Sequence, residues 1–239
     1  MLSSVQGRLI NGIKIYFYSA VLEEMPNLKK PKNEYFEGIR SDVADMVPAN
    51  CKRVLDVGCG YGGLGRNLLN RGIENIFGVE INPDAGPQLE KIYSGYWLGD
   101  VEQVILPAGI EPFDCIVFAD VLEHLRDPWN TLKRYLHWLR PGGYVVASIP
   151  NVQNIALLYN LIIRGRWRYE DSGLLDRTHL RFFTRKEILD MFKGAELEIE
   201  LIRENRERLS MMRRIMILPM LALIPDLGVC QYLIRARKS

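Results

Sequence analysis

The stretch RVLDVGCGYGGLG, residues 53–65, constrains the fold of this chain more than any other feature. A short apolar run ends at an acid and passes directly into glycines, which is typical of a buried parallel strand followed by a tight loop. Gly58 and Gly60 permit backbone turns that a Cβ would block, so a ligand can approach bare backbone. The leucines within residues 64–69 predict a helix. Strand, loop and helix in this order predict a nucleotide-type site, although the glycine pattern alone also occurs in turns that bind nothing.

Three acids stand at or near the carboxyl ends of predicted strands, where open α/β sheets bind ligands. Asp56 lies in the first strand, and Asp100 follows the third. Glu80 ends the second strand-like run, residues 76–79, and lies twenty positions beyond Gly60. A carboxylate at that position can accept hydrogen bonds from a ribose diol. The acids therefore strengthen the prediction of a nucleotide-type cofactor.

The segments LDVGCGYGG, GVEINPDA, GDVE, FDCIVFADVLEHLRDPWNTL and LRPGGYVVASIPN follow one another over residues 50–151. In order and spacing they resemble class I S-adenosylmethionine-dependent methyltransferases. The resemblance implies that the cofactor is S-adenosyl-L-methionine and that the chain transfers its methyl group. The combination is much more specific than any one segment.

The resemblance also implies which residues contact the cofactor. Gly58 and Gly60 would hold its methionine end, Glu80 the ribose hydroxyls and Asp100 the adenine amino group. An aromatic side chain on a helix ahead of the first strand would close the pocket, although an aromatic at helical spacing is more often core. The predicted contacts, with the two residues that would flank the adenine ring placed last, are Tyr35, Asp56, Gly58, Gly60, Glu80, Asp100, Asp120, Ile81 and Val101.

Strand and helix patterns alternate along the chain, among them a helix over residues 34–46 ahead of the first strand and a fifth strand over residues 144–149. This alternation predicts the α/β class with helices on both faces of the sheet. With the resemblance, we expect a doubly wound, mostly parallel, seven-stranded Rossmann-like sheet with an antiparallel C-terminal hairpin and a small helical cap. Residues 1–33 would be an N-terminal extension. Residues 34–239 would form the methyltransferase domain, with cap insertions at about 151–183 and 203–229.

The candidate catalytic residues are His124 and His179, on the side where an acceptor would bind. Asp120 and His124 are four residues apart and share one face if their segment forms a helical turn, although Asp120 could instead cap that turn. We expect Glu123, in the same segment, to be structural. His179 lies in residues 165–183, a stretch dense in aromatic and charged side chains that could contact a ring, hydroxyls or phosphates. A longer stretch around it resembles methyltransferases of bacterial cell-surface polysaccharide biosynthesis. That resemblance predicts a small-molecule acceptor, a sugar or glycan-precursor hydroxyl or amine.

Composition and targeting signals narrow the range of partners. The formal net charge is +2, from 31 basic and 29 acidic residues, so we expect no nucleic-acid partner. The four cysteines are scattered, which favours reduced thiols in a cytoplasmic protein. The three histidines do not have helix-ligand spacing with a carboxylate, so we expect no metal site. We find no signal-peptide pattern and no apolar run of the ~20 residues that a membrane helix needs.

Residues 203–229 join basic side chains to a compact apolar run interrupted by Pro219 and Pro225. Short helices packed on the domain as a lid would satisfy this pattern. The alternative is an amphipathic segment in peripheral contact with an anionic membrane or over a lipid-linked substrate.

Two other functions also fit the sequence. An NAD-dependent oxidoreductase would use the same glycine pattern and Glu80, but no Tyr-x-x-x-Lys pair occurs in the chain. A non-catalytic cofactor-binding partner protein would share every cofactor residue. The acceptor atom and the oligomeric state do not follow from these residues.

Overall fold

The computed structural model describes residues 6–10, 13–17, 40–206 and 221–239. Its strands are β1 (Gln6–Ile10), β2 (Ile13–Phe17), β3 (Arg53–Val57), β4 (Asn75–Glu80), β5 (Gly95–Leu98), β6 (Phe113–Ala119), β7 (Leu139–Pro150), β8 (Leu197–Arg206) and β9 (Val229–Lys238). Its α-helices are α1 (Ser41–Ala44), α2 (Gly63–Asn70), α3 (Gly86–Leu89), α4 (Pro128–Tyr135), α5 (Ile155–Ile162) and α6 (Arg185–Gly194). Short 3₁₀ turns cover Pro83–Ala85, Leu122–His124, Leu136–Trp138 and Pro225–Gly228.

A seven-stranded sheet in the order β5-β4-β3-β6-β7-β9-β8 organises the described part of the chain. The strands from β5 to β7 run parallel, whereas β9 is antiparallel to both β7 and β8. Parallel strands need crossover connections, and α2 and α4 lie within such connections. The structure confirms the predicted α/β sheet with its antiparallel C-terminal hairpin.

Side chains alternate across the central strands and form a separate core on each face of the sheet. Leu55 of β3 packs in one cluster with Ile116 of β6. Its neighbour Val54 packs in the other cluster with Cys115. The register pairs Val54 with Cys115 and Leu55 with Ile116, so each apolar row continues across the sheet. This explains why β3 and β6 read as nearly continuous apolar runs.

Helices cover both faces of the sheet. The apolar sides of α2 and α3 pack in the Val54 cluster, and those of α4 and α6 pack in the Leu55 cluster. The sheet is therefore doubly wound, as predicted. Because β3, β4, β5 and β6 are parallel, the loops that leave their carboxyl ends meet at one edge, where the predicted site residues stand.

Several predicted boundaries differ from those observed. A fifth strand was expected to begin at Tyr144, but β7 begins at Leu139, which pairs with Phe113 ahead of an irregularity in the register. Residues 203–206 continue β8 because they remain paired with β9. They are therefore part of the hairpin and not of the predicted insertion.

Other predictions fall partly on residues that the structure does not describe. Tyr35 lies outside the described residues, as do 34–39 of the predicted helix, of which α1 forms a described part. Within the predicted N-terminal extension, β1 and β2 form an antiparallel pair. Residues 207–220 also lie outside the described part of the chain, so the lid and the membrane segment both stay predictions.

Two further sequence expectations can be compared with the structure. The four cysteines form no disulfide with one another, and Cys230 is the one that is not buried. Among the described residues, we find no helix long and apolar enough to cross a membrane.

Candidate functional site

The loop between β3 and α2 is shaped by glycines with left-handed backbone conformations. Gly58, Gly60 and Gly62 have φ angles of 69°, 53° and 80°. A Cβ on Gly58 would lie 2.6 Å from Cγ2 of Val121, so the loop packs closely against the segment after β6. A Cβ on Gly60 would meet no atom within 4 Å. Gly58 is therefore required for packing and conformation, and Gly60 leaves open space above the backbone.

The Glu80 carboxylate fixes this loop from the neighbouring strand. Oε2 accepts a hydrogen bond from the Gly60 N–H at 2.7 Å, and Oε1 accepts one from the Asn82 N–H at 2.9 Å. Glu80 is buried, which strengthens these charge-assisted bonds. A carboxylate offers about four lone-pair sites, so both oxygens can accept further bonds from a ligand. Glu80 thus has the predicted position and also holds the shape of the site.

Asp56 lies beneath the loop with its carboxylate in the protein interior. Its Oδ2 accepts a hydrogen bond from the Tyr93 hydroxyl at 2.7 Å. Burial raises the pKa of Asp56 to about 7, against the lowering effect of that bond, and the charge of Glu80 raises it further. Asp56 forms part of the cavity wall. Its hydrogen-bond partner is the Tyr93 hydroxyl and not a group of the glycine loop.

Three more of the predicted residues, Asp100, Ile81 and Val101, line the same cavity. Asp100 Oδ1 accepts a hydrogen bond from the Glu102 N–H at 2.8 Å. Ile81 is 66% exposed, whereas Val101 is buried. An exposed apolar side chain at the wall of a cavity offers a flat ring something to pack against. The cavity that these residues share with Gly58, Gly60 and Glu80 has a volume of about 980 Å³, within the usual range for ligand sites.

Asp120 lies at the end of β6 and belongs to a network of polar side chains. Its φ is 56°, in the left-handed region that non-glycine residues seldom adopt. Oδ1 accepts hydrogen bonds from the Ser148 hydroxyl, at 2.9 Å, and from Gln231 Nε2, while Oδ2 pairs with the Arg40 guanidinium. Asn205 connects the network to β8 through Gln231. Asp120 therefore reaches the cavity, as predicted, and also joins β6, β7 and β9.

The two histidines contact each other through their rings. Their ring centroids are 4.6 Å apart. His124 Nδ1 lies 3.2 Å from the Thr178 carbonyl oxygen, and His179 Nδ1 lies 3.2 Å from the Leu174 carbonyl oxygen. A carbonyl oxygen can only accept, so Nδ1 donates in both rings and each Nε2 of a neutral ring carries a lone pair. Burial lowers the pKa of both histidines, which favours these neutral rings.

His124 and His179 differ in their access to the cavity. His124 forms part of its wall together with Asp176 and Thr178. His179 is buried behind it and lines a separate, shallow cavity with Tyr169. The structure thus brings the predicted pair together but places only His124 at the main cavity.

Glu123 lies close to both histidines. Its side chain is buried, and Oε2 has no hydrogen-bond partner among the described residues. Burial raises the pKa of Glu123 to about 8. One potential ligand atom from each of Glu123, His124 and His179 lies within 4.8 Å of the other two. The expectation of no metal site considered spacing along one helix, whereas this cluster joins two segments that are distant in sequence.

Comparison with known families decides the class of protein. The family model described as a methyltransferase domain matches residues 15–202. The chain belongs to this family. The methyltransferase match decides against the NAD-dependent oxidoreductase, because that alternative used the same glycines and Glu80 for a different chemistry.

Relatives and solved structures agree with this family. The chain is 29% identical over 163 residues to a ubiquinone biosynthesis O-methyltransferase of Cereibacter sphaeroides, a match that covers 66% of this chain and 64% of the relative. It therefore spans less than two thirds of that relative's length. A SAM-dependent methyltransferase from Archaeoglobus fulgidus has the same fold, with a TM-score of 0.59, 21% identity, and coverage of 86% of this chain and 97% of its own.

One relative bears on the expected absence of a nucleic-acid partner. The chain is 32% identical over 110 residues to a tRNA U34 carboxymethyltransferase of Methylococcus capsulatus, covering 43% of this chain and 33% of the relative. From the net charge we expected no nucleic-acid partner. The name of this relative does not support that expectation.

The structure adds residues to the site that the sequence did not single out. Four of them act through partners far along the chain, so local patterns carry no signal for them; these are Arg40, Ser148, Thr178 and Gln231. Glu123 was expected to be structural. Its position beside His124 was visible in the sequence, but its burial without a hydrogen-bond partner was not.

The raised pKa of Asp56 generates a prediction on stability. A carboxyl that titrates near 7 in the folded state and at 3.8 when unfolded loses its proton first in the unfolded chain. Its contribution to folding stability therefore falls as pH rises from about 4 to about 7 and stays level above that. Asp56→Asn removes this loss. The free energy of unfolding of the variant, relative to the natural chain, should rise by on the order of 2–4 kcal/mol over that window.

Urea unfolding at a series of pH values from 4 to 8 measures this difference. A part of the difference in unfolding free energy that does not vary with pH reflects only the altered hydrogen bond to Tyr93. The test is therefore how this difference changes with pH. A difference that is the same at every pH would contradict a buried, protonated Asp56.

Proposed function

We propose that the chain transfers a methyl group from S-adenosylmethionine to a small-molecule acceptor, a sugar or glycan-precursor hydroxyl or amine. The observation that carries the proposal is one cavity lined by two chemically different sets of residues. The first set is the glycine loop with Glu80 and Asp100, and the second is His124 with polar residues of 170–180. A cofactor and an acceptor can therefore meet between them.

The first set of residues fits the cofactor. Gly60 leaves the backbone of the loop uncovered, as the methionine portion of a bound nucleoside requires. Glu80 has free acceptor capacity for a ribose diol, and Ile81 with Val101 can pack against the two sides of an adenine ring. S-adenosylmethionine supplies an activated methyl group, so the chain has chiefly to orient the acceptor and exclude water.

Glu80 provides the test of the cofactor half. Glu80→Ala should weaken S-adenosylmethionine binding by about 1.5–3 kcal/mol, the cost of losing hydrogen bonds to a charged group. Isothermal titration calorimetry measures the change. Glu198→Ala is the matched control, because Glu198 is an exposed acid on β8, away from the cavity, and should bind like the natural chain. Tighter binding of nicotinamide dinucleotide than of S-adenosylmethionine would refute this half of the proposal.

The second set of residues suits an acceptor that carries several hydroxyl groups. It includes Glu170, Asp171, Ser172 and Asp176. Carboxylates accept hydrogen bonds from hydroxyls, and a serine hydroxyl both donates and accepts. Together with the resemblance to polysaccharide-associated methyltransferases, this composition supports a saccharide acceptor.

His124 has the position of a proton acceptor in this half of the site. It stands at the cavity wall with Nδ1 donating to Thr178, so Nε2 is available to accept. We assign to His124, supported from behind by His179, the role of base when the acceptor is a hydroxyl. An already deprotonated amine would need no base.

A second group of acceptors follows from the relatives. The ubiquinone biosynthesis O-methyltransferase supports oxygen as the acceptor atom and extends the candidates beyond saccharides. The non-catalytic partner protein is a further alternative, and it differs from both in having no turnover. Peripheral membrane contact through residues 203–229 remains a separate proposal.

Turnover measured with a panel of acceptors tests the assignment of His124. The panel should contain saccharides, amino sugars and aromatic alcohols, with formation of S-adenosylhomocysteine as the readout. His124→Asn should lower turnover on a hydroxyl acceptor by about 10²–10⁴-fold while leaving cofactor affinity nearly unchanged. His137→Asn is the matched control, since His137 is exposed and outside the cavity wall.

The alternatives give different results in the same assay. No turnover with any acceptor, together with tight cofactor binding, would favour the non-catalytic partner. Equal loss of cofactor affinity and thermal stability in His124→Asn would assign a structural role to His124.

A further inference from the structure

We infer that Glu123, His124 and His179 bind a divalent transition-metal ion of the zinc type beside the part of the cavity wall that His124 forms. One potential ligand atom from each residue lies within 4.8 Å of the other two. Two imidazoles and one carboxylate form a ligand set that suits zinc, iron or cobalt. Magnesium and calcium prefer oxygen ligands, so this set disfavours them.

The hydrogen bonds of the two histidines are those of metal ligands. Nδ1 of each ring donates to a backbone carbonyl, which orients the ring and leaves the lone pair on Nε2. Such a bond to the second ring nitrogen accompanies almost every metal-bound histidine. Thr178, whose carbonyl accepts from His124, is in turn fixed by Asp176, to which its hydroxyl donates at 2.6 Å. The supporting groups are therefore themselves hydrogen-bonded.

The buried carboxylate is an independent observation that points to a ligand. Glu123 is 1% exposed, and its Oε2 has no partner in the part of the chain that the structure describes. A buried polar atom without a hydrogen bond is costly, and a bound cation would remove that cost. Metal bonds of about 2.0–2.2 Å place tetrahedral ligand atoms roughly 3.4 Å apart, so binding would draw the three side chains together.

The position of the cluster gives the ion a function. Three protein ligands leave one coordination position open. His124 is the ligand at the cavity wall, while Glu123 and His179 are buried, so the open position would face the acceptor. This part of the inference rests on the proposed function. In that case both histidines act as metal ligands. The ion, and not His124 as a base, then activates the acceptor hydroxyl.

The chemical step follows from the known effect of such ions on bound oxygen. An acceptor hydroxyl at the open position would lose its proton to water, because the ion lowers its pKa. The resulting oxygen attacks the methyl carbon of S-adenosylmethionine. The bond from that carbon to sulfur breaks, and sulfur keeps the electron pair. No oxidant or reductant takes part.

Calorimetry with Zn²⁺ on chelator-treated, tag-free protein tests the site without any acceptor. The natural chain should bind one equivalent, and Glu123→Gln and His179→Gln should each weaken binding by at least about tenfold. His137→Gln is the matched control, because it removes the exposed histidine and should leave binding unchanged. Co²⁺ should give a visible absorption band in the natural chain and in His137→Gln, but a much weaker one in the other two variants.

The outcomes separate this inference from the proposed function. Equal Zn²⁺ affinity in the natural chain and both ligand variants would overturn it, as would the absence of Zn²⁺ binding or its loss in His137→Gln. Far-UV circular dichroism identifies a variant that fails to fold, in which case the other ligand variant decides. Cofactor binding and turnover that survive metal removal would refute the role of the ion in the reaction, while Zn²⁺ binding without cofactor binding would refute the proposed function alone.

Discussion

The contact of the Glu80 carboxylate with the Gly60 and Asn82 N–H groups is the interaction on which the cofactor half of the site depends. It joins the end of β4 to the loop after β3 and so holds two chain segments at a fixed separation. A loop of glycines has little preference of its own for one conformation. The carboxylate supplies that preference before any ligand binds, which lowers the entropy that binding must overcome.

The acceptor half is built on a different principle. Asp120, with its left-handed backbone, holds Ser148, Gln231 and Arg40 around one carboxylate. His124 and His179 come from segments on either side of β7 and meet by their rings. Each of these contacts joins segments that are distant in sequence, so this half forms only when those segments have folded together.

The two halves could be predicted from sequence to different extents for that reason. The cofactor half follows from short patterns: apolar strands, glycines and acids at strand ends, which parallel topology brings to one edge. Asp56 shows the limit of this reasoning, since its strand was predicted but its partner Tyr93 was not. The partners Arg40 and Gln231 of Asp120 lie 80 and 111 residues away, and no local pattern marks them. The burial of Glu123 depends in the same way on the distant segment around His179, in which the Leu180 and Arg181 N–H groups donate to the Glu123 carbonyl oxygen.

A crystal structure of the chain with S-adenosylhomocysteine tests the central claim most directly. The ribose diol should donate to Glu80 while the Gly60 and Asn82 contacts persist, and the adenine ring should lie between Ile81 and Val101. The sulfur atom should face the half of the cavity that His124 lines. A nucleoside bound elsewhere, or one bound in the cavity without contact to Glu80, would contradict the account.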